Sequence, residues 1–196
     1  MRHQTLSVPV PSSGVDVEAV QAFTAVLALG AAVLAVLLVT GRLLSGRFGL
    51  VDEAAEAFDD AALWIAFLIA AVATAGSLYF SEVAGYYPCR LCWLQRICMY
   101  PLTAVLFVAA LRRDRSARWY VLPLAGAGAC ISAYHYVIEW RPSLEAGSCG
   151  IGPESCTTIW FREFGFVTLS LMALCGFVAI LVLTNLRTTD RVARDE

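Results

Sequence analysis

Tyr86-Tyr87-Pro88-Cys89-Arg90-Leu91-Cys92-Trp93-Leu94-Gln95-Arg96 runs without a break into an apolar block, residues 91–111, whose one charge is Arg96. A block of that length crosses roughly 30 Å of hydrocarbon as a helix of about 20 residues. Four more blocks flank it, at residues 22–41, 61–80, 119–138 and 164–186. None alternates with the period of two that strands show. In a bilayer only helices or closed barrels satisfy the backbone, so all five read as transmembrane helices. Composition agrees: 59% of the chain is hydrophobic and 15% charged, against about 25% charged in an average soluble domain. The fold class is therefore all-α, a polytopic membrane protein.

Arginine placement sets an expected orientation, because cytoplasmic loops carry the excess of basic residues. Arg112, Arg113, Arg115 and Arg118 crowd one short loop, Arg42 and Arg47 another, and Arg187, Arg191 and Arg194 follow the last span. With those loops cytoplasmic, only Arg2, Arg90, Arg141 and Arg162 lie outside, a split of nine to four with Arg96 within a span. Residues 1–21 are then an external N-terminal segment lacking the basic start and cleavage site of a signal peptide, which leaves the first span as a retained anchor. The acidic stretch 45–60 is a cytoplasmic connector. Leu50, Ala54, Phe58 and Ala61 recur there at helical spacing, so it reads either as an interfacial helix or as a solvated link. Residues 187–196 form a cytoplasmic tail. Tyr86, Tyr87, Trp93, Trp140 and Trp160 near outer span ends, and Trp64, Trp119 and Tyr120 near inner ones, read as interfacial belts. A net charge of −2 without a basic stripe gives no reason to expect nucleic acid.

Seven cysteines leave at least one unpaired within the chain. Cys98, Cys130 and Cys175 sit inside apolar blocks and read as small hydrophobes. The other four form two close pairs, Cys89/Cys92 and Cys149/Cys156, in polar segments on the expected outer side, where disulfides persist. Cys92 falls in the first turn of a helix, where unpaired N–H groups and the dipole favour a thiolate. Arg96 lies one turn deeper on the same face. An arginine there is costly unless it snorkels outward or meets an anion, such as a thiolate or an electron acceptor that becomes negative. Zinc sites use the same two-residue cysteine spacing, so a metal reading stays open. Cys149-Gly-Ile-Gly-Pro-Glu-Ser-Cys156 lies in a loop rich in Gly, Pro and Ser. Its disulfide would close only a small ring, which favours a transferable bond over a staple.

Cys89-Arg-Leu-Cys92-Trp-Leu-Gln-Arg96 followed by Met99-Tyr100-Pro101, then Tyr134-His135-Tyr136, the second cysteine pair and Phe164-Gly165-Phe166-Val167-Thr168 together resemble the DsbB family of disulfide-generating membrane oxidoreductases, in its BdbC branch. The likeness covers residues 61–186 and implies a four-helix transmembrane bundle, to which residues 22–44 add one extra N-terminal transmembrane helix. It implies a relay. A reduced DsbA-like, thioredoxin-fold partner attacks Cys149 and releases Cys156, Cys156 attacks Cys89, and the freed Cys92 gives electrons to a membrane quinone, menaquinone or ubiquinone. Arg96 would steady the developing charge, and His135 would donate a proton or hydrogen bond to the quinone. Gln95 is expected to pack or hydrogen-bond. No metal is part of this reading. A vitamin K epoxide reductase-like protein shares the two-pair plan but places its CxxC after the loop pair, the reverse of the order here. A non-enzymatic reading has the four outer cysteines binding zinc.

The orientation is directly testable. A membrane-impermeant thiol reagent applied to intact, reduced cells should reach the Cys149/Cys156 pair. Labelling that waits for permeabilisation would invert the topology and remove the mechanism with it.

Overall fold

A computed structural model describes residues 16–45, 52–145 and 155–185. Among these residues five α-helices follow one another: α1 (Val17–Ser45), α2 (Asp52–Glu82), α3 (Arg90–Arg112), α4 (Arg118–Trp140) and α5 (Leu169–Asn185). Among the described residues there is no strand, only an isolated bridge between Glu163 and Val167. Among the described residues four helices are long and apolar enough to cross a membrane, and α5 is a shorter apolar one. The chain is a multi-pass, all-α membrane protein.

The boundaries follow from local chemistry. Cys89, in extended conformation after Pro88, is the N-cap of α3. At the other end Arg113 turns into the left-handed region at φ 52°, and its N–H returns to Ala109 and Ala110, ending the helix. Asp114 then accepts the Ser116 N–H at 2.8 Å. Its bonds from Ser116 hold its carboxyl below the usual range and start the short turn into α4. The acidic connector is helical from Asp52 and continuous with the second span. The fifth span begins at Leu169 and not at 164, which corrects the sequence reading. Phe164 and Gly165 have φ of 53° and 80°, and Val167 N–H bonds Glu163 O at 2.8 Å. Left-handed backbone cannot continue a right-handed helix, so Phe164-Gly165-Phe166 is a tight turn feeding α5.

Helices α2, α3, α4 and α5 pack in a ring, each on the next and α5 back on α2, while α1 lies against α5. Ala66, Ala70, Leu102, Leu106, Val121, Ala125, Phe177 and Ile180 fill the ring's centre. Small residues let apolar helices approach where lipid supplies no hydrophobic drive, and interhelical hydrogen bonds add to them. Thr74 and Thr103 make such a bond between α2 and α3 at 2.9 Å.

Gly128 is the tightest approach. A Cβ built there would sit 2.3 Å from the Phe177 ring, which is fully buried. Gly128→Ala should therefore cost about 1–3 kcal/mol through overpacking, read as a lower Tm in detergent. Adding Phe177→Leu should recover part of that loss. A Tm unchanged by Gly128→Ala would mean that α4 and α5 do not meet there.

Candidate active site

The N-terminus of α3 presents a sulfur where helices ordinarily take an oxygen cap. Cys89 Sγ accepts the Cys92 N–H at 3.3 Å and lies 2.8 Å from Cys92 Sγ. Both cysteines are thiols. The hydrogen bond from the Cys92 thiol, helped by His135 and the Cys92 N–H and opposed by burial, holds the Cys89 thiol well below the usual cysteine range. The first-turn position predicts a helix-end anion at Cys92; the free N–H goes to the capping sulfur of Cys89, which favours charge there as well.

On one side of this pair lies a buried polar group. His135 Nε2 is 3.7 Å from Cys89 Sγ, 3.1 Å from the Cys156 carbonyl oxygen and 3.8 Å from Glu139 Oε1. Gln95 Nε2 meets His135 Nδ1 at 3.3 Å. The Gln95 amide donates to that nitrogen, so the imidazole proton belongs on Nε2, facing Cys89 and the Cys156 carbonyl. Thr168 Oγ1 donates to Glu139 Oε2 at 2.7 Å and also meets Ser170 at 2.9 Å. Cys156 is fully buried, disulfide-bonded and packed with Cys89, Leu91 and Ile138. Cys149 lies outside the described residues.

On the other side of Cys92 opens a cavity of about 600 Å³, which Cys92, Gln95, Arg96 and Tyr100 line together with apolar side chains of α1, α2 and α5. Arg96 is buried and does not snorkel. Its Nε donates to Ser77 Oγ at 2.9 Å and its Nη2 to the Ser77 carbonyl oxygen at 2.8 Å, with the guanidinium 5.1 Å from the Trp93 ring centre. No carboxylate pairs with it among the described residues. The Tyr100 hydroxyl is buried without a hydrogen-bond partner. Tyr86 stacks on Trp160 at 4.8 Å and on Phe80 at 5.7 Å over the cysteine end of the cavity.

Of the expected site residues, Cys89, Cys92, His135 and Cys156 come together, and Arg96 faces the cavity one turn along from Cys92. Three residues at the site have no site role in the sequence reading. Glu139 is four residues after His135, a carboxylate at the end of an apolar block, and that spacing was the available signal. Tyr100 follows Arg96 by four, as Arg96 follows Cys92, extending one helical stripe. Trp160, read as a belt residue, instead roofs the cavity. Cys89, Cys92 and His135 also place three soft donor atoms within 4.8 Å of one another, a set that could hold a cation.

Comparison with known proteins places this geometry. The family model described as "Disulfide bond formation protein DsbB" matches residues 59–186. Relatives include the "Probable disulfide formation protein C 1" of Bacillus anthracis, 46% identical over 121 residues, 62% of this chain and 87% of that protein. The "Disulfide bond formation protein C" of Bacillus subtilis (strain 168) is 38% identical over 61% of this chain and 87% of its own. A "Probable disulfide formation protein" of Coxiella burnetii is 41% identical over 62% and 82% respectively. No solved structure matches the chain significantly.

The low Cys89 pKa has a plain signature. An ordinary cysteine is protonated below about pH 8.5, whereas the hydrogen bond from Cys92 holds Cys89 ionised well below that. Ultraviolet thiolate absorbance of the dithiol form should persist at neutral pH, be lost only on further acidification, and be absent from Cys89→Ser. Absorbance lost already near the ordinary cysteine pKa would remove the capped thiolate.

Proposed function

Since the chain belongs to the DsbB family of disulfide bond formation proteins, and is on that ground a membrane disulfide oxidoreductase, we propose that it reoxidises a DsbA-like, thioredoxin-fold partner and delivers the electrons to a membrane quinone, menaquinone or ubiquinone. The observation that carries this reading is the position of Cys92. It stands in the thiol pair and also lines a large apolar cavity, beside an arginine that no carboxylate among the described residues neutralises. The cavity's residues suit a quinone. Arg96 supplies donors for a ring oxygen, and most of the remaining lining is apolar. When bound, a quinone supplies a two-electron, two-proton acceptor, and the protein's share is position and electrostatics.

In the relay, the partner's thiolate attacks Cys149 and the Cys149–Cys156 bond breaks, leaving Cys156 as the free thiolate. Cys156 then attacks Cys89, whose bond to Cys92 breaks. The burial of Cys156 in one cluster with Cys89 supports that step. The partner's second thiolate then attacks its own half of the mixed disulfide and frees Cys149, and Cys149 attacks Cys156 and frees Cys89, which restores the Cys149–Cys156 bond and leaves Cys89 and Cys92 reduced. Reoxidising that pair releases two electrons, together with the proton that the monothiolate pair still carries. The Cys92 N–H favours the anion on Cys89, but Cys92 faces the cavity. A proton passing from Cys92 to Cys89 across the 2.8 Å between their sulfurs moves the charge to the cavity side. The His135 Nε2–H faces Cys89 and is placed to donate a hydrogen bond to its sulfur, and Glu139 stands within 3.8 Å of the same nitrogen. The cysteine pairs are assigned to the extracytoplasmic face and the C-terminus to the cytoplasm by arginine placement.

A second reading rests on the three clustered donors: Cys89, Cys92 and His135 hold zinc. Metal analysis beside a free-thiol count separates the two, since a redox pair gives no stoichiometric metal and titrates between dithiol and disulfide.

Arg96 is the sharpest test of the quinone reading. Lysine keeps the charge but loses the planar fork of donors, so Arg96→Lys should retain part of the activity. Arg96→Met should lose a charge-assisted contact worth roughly 1.5–3 kcal/mol, slowing quinone reduction by about one to two decades. Mixed-disulfide formation at Cys149 precedes that step and should be nearly unchanged. Near-normal quinone reduction in Arg96→Met would reduce Arg96 to a structural anchor.

A further inference from the structure

Helix α1 lies outside the stretch that the family model matches, yet it builds one wall of the cavity. Gln21, Ala25 and Ala35 are buried, and α5 is the helix that α1 packs against. A neighbouring stripe, Thr24, Leu27, Ala31 and Leu34, lines the cavity, its spacing of three and four keeping it on one helical face. Ile65, Leu68, Ile69 and Val72 of α2 line the cavity as well.

Yet α1 scarcely touches α2. They come close near Gly76, where an added Cβ would meet Thr24 at 3.8 Å. Farther from the cysteines, Leu27, Leu68 and Val72 line the cavity and remain 40%, 56% and 43% exposed, so the seam between the two helices is open on its lateral side. The cysteine end is closed instead. Gln21 Nε2 donates to the Tyr86 hydroxyl, and Tyr86 is stacked between Trp160 and Phe80. The α2 lining from Ser77 to Ile65 extends about 18 Å at 1.5 Å per residue. That is far longer than a quinone ring needs, and among the described residues no charged side chain lines it beyond Arg96.

We propose that α1 and α2 form a lateral doorway and tail subsite, through which a ligand with a long isoprenoid chain enters from the bilayer and along which that chain lies. The proposal rests on the quinone reading and adds the part of the ligand that α1 recognises. An acyl lipid chain has the same apolar chemistry, so the experiment compares tails on one head group.

Two variants narrow the slot. Ala31→Phe enlarges a lining side chain, and Gly30→Leu adds one where a Cβ meets no atom within 4 Å, leaving the packing on α5 intact. Binding of a long-tailed quinone and of its short-tailed analogue to the full-length protein is measured by quenching of tryptophan fluorescence, since Trp160 lines the cavity. Quinone retained through purification is extracted and counted as an independent readout. Displacing contacts equal to about two buried methylenes should weaken the long-tailed ligand about tenfold and leave the short-tailed one within about twofold. Unchanged long-tail binding in both variants, or an equal loss for both ligands, overturns the tail subsite. If the parent protein binds neither ligand, the quinone reading fails first and this one with it.

Discussion

Helix α3 starts at a sulfur cap, and the rest of the site takes its register from that point. Because Cys89 Sγ accepts the Cys92 N–H, the helix begins at Arg90, and each later residue has its direction assigned by the 3.6-residue turn. Cys92, Arg96, Met99 and Tyr100 share the stripe that lines the large cavity. Gln95 reaches α4 as well, where it fixes the His135 ring. A start one residue later would turn this pattern by about 100° and separate the arginine from the cavity. Pro88, by disfavouring helix in the residue before it, and Cys89, by capping, together remove that freedom.

Burying charge at this depth carries a cost that the neighbouring backbone offsets. An arginine at the centre of a membrane helix costs roughly 2.5–3.5 kcal/mol on insertion scales. Two charge-assisted hydrogen bonds, at roughly 1.5–3 kcal/mol each, are of the same size, and Arg96 obtains both from Ser77. Since Ser77 is neutral, the positive charge is satisfied as a donor yet not cancelled. An ion pair with a carboxylate would have supplied equal stability while removing the field at the cavity. Glu139 is handled differently. Thr168 donates to one of its oxygens and His135 stands near the other, so its hydrogen bonds are met within α4 and the turn before α5. The motif from Phe164 to Thr168 accounts for both duties: Tyr136 donates to the Phe166 carbonyl oxygen, and Thr168 closes on Glu139.

The spans were legible because membrane burial demands long apolar blocks. The third and fourth spans begin within a residue of where hydropathy placed them. The fifth was misplaced because Phe164, Phe166 and Val167 are apolar like the helix they precede, and hydropathy cannot register the left-handed backbone at Phe164 and Gly165. The CxxC and Arg96 were legible from local spacing, since a helix start and an i+4 relation are sequence properties. Glu139, Tyr100 and the Tyr86–Trp160 stack were not. Their roles depend on which helix lies opposite, and packing between α4, α5 and the loop is not written in any one segment. The identity of the capping sulfur was missed for a finer reason. A helix dipole favours charge near its N-terminus, but which of two sulfurs takes the N–H depends on the backbone angles of Cys89.

The two cavities at the cysteine end divide the chemistry by polarity. Cys89 borders only the smaller one, with His135, Glu139 and Thr168, whereas Cys92 borders both. A dithiol that loses electrons must also lose protons, and in an apolar pocket neither can wait for bulk water. With the pair set across the boundary, the polar side holds groups that accept and hold protons. The apolar side holds a fixed positive charge and, among the described residues, no carboxylate. On the proposed reading, electrons leave from Cys92 and its proton leaves by way of Cys89 toward the polar side. The 2.8 Å between the sulfurs is where the two paths join. The same partition makes the CxxC spacing a geometric requirement. Cap and third helical position bring the two side chains into contact at the helix start while turning one toward each cavity.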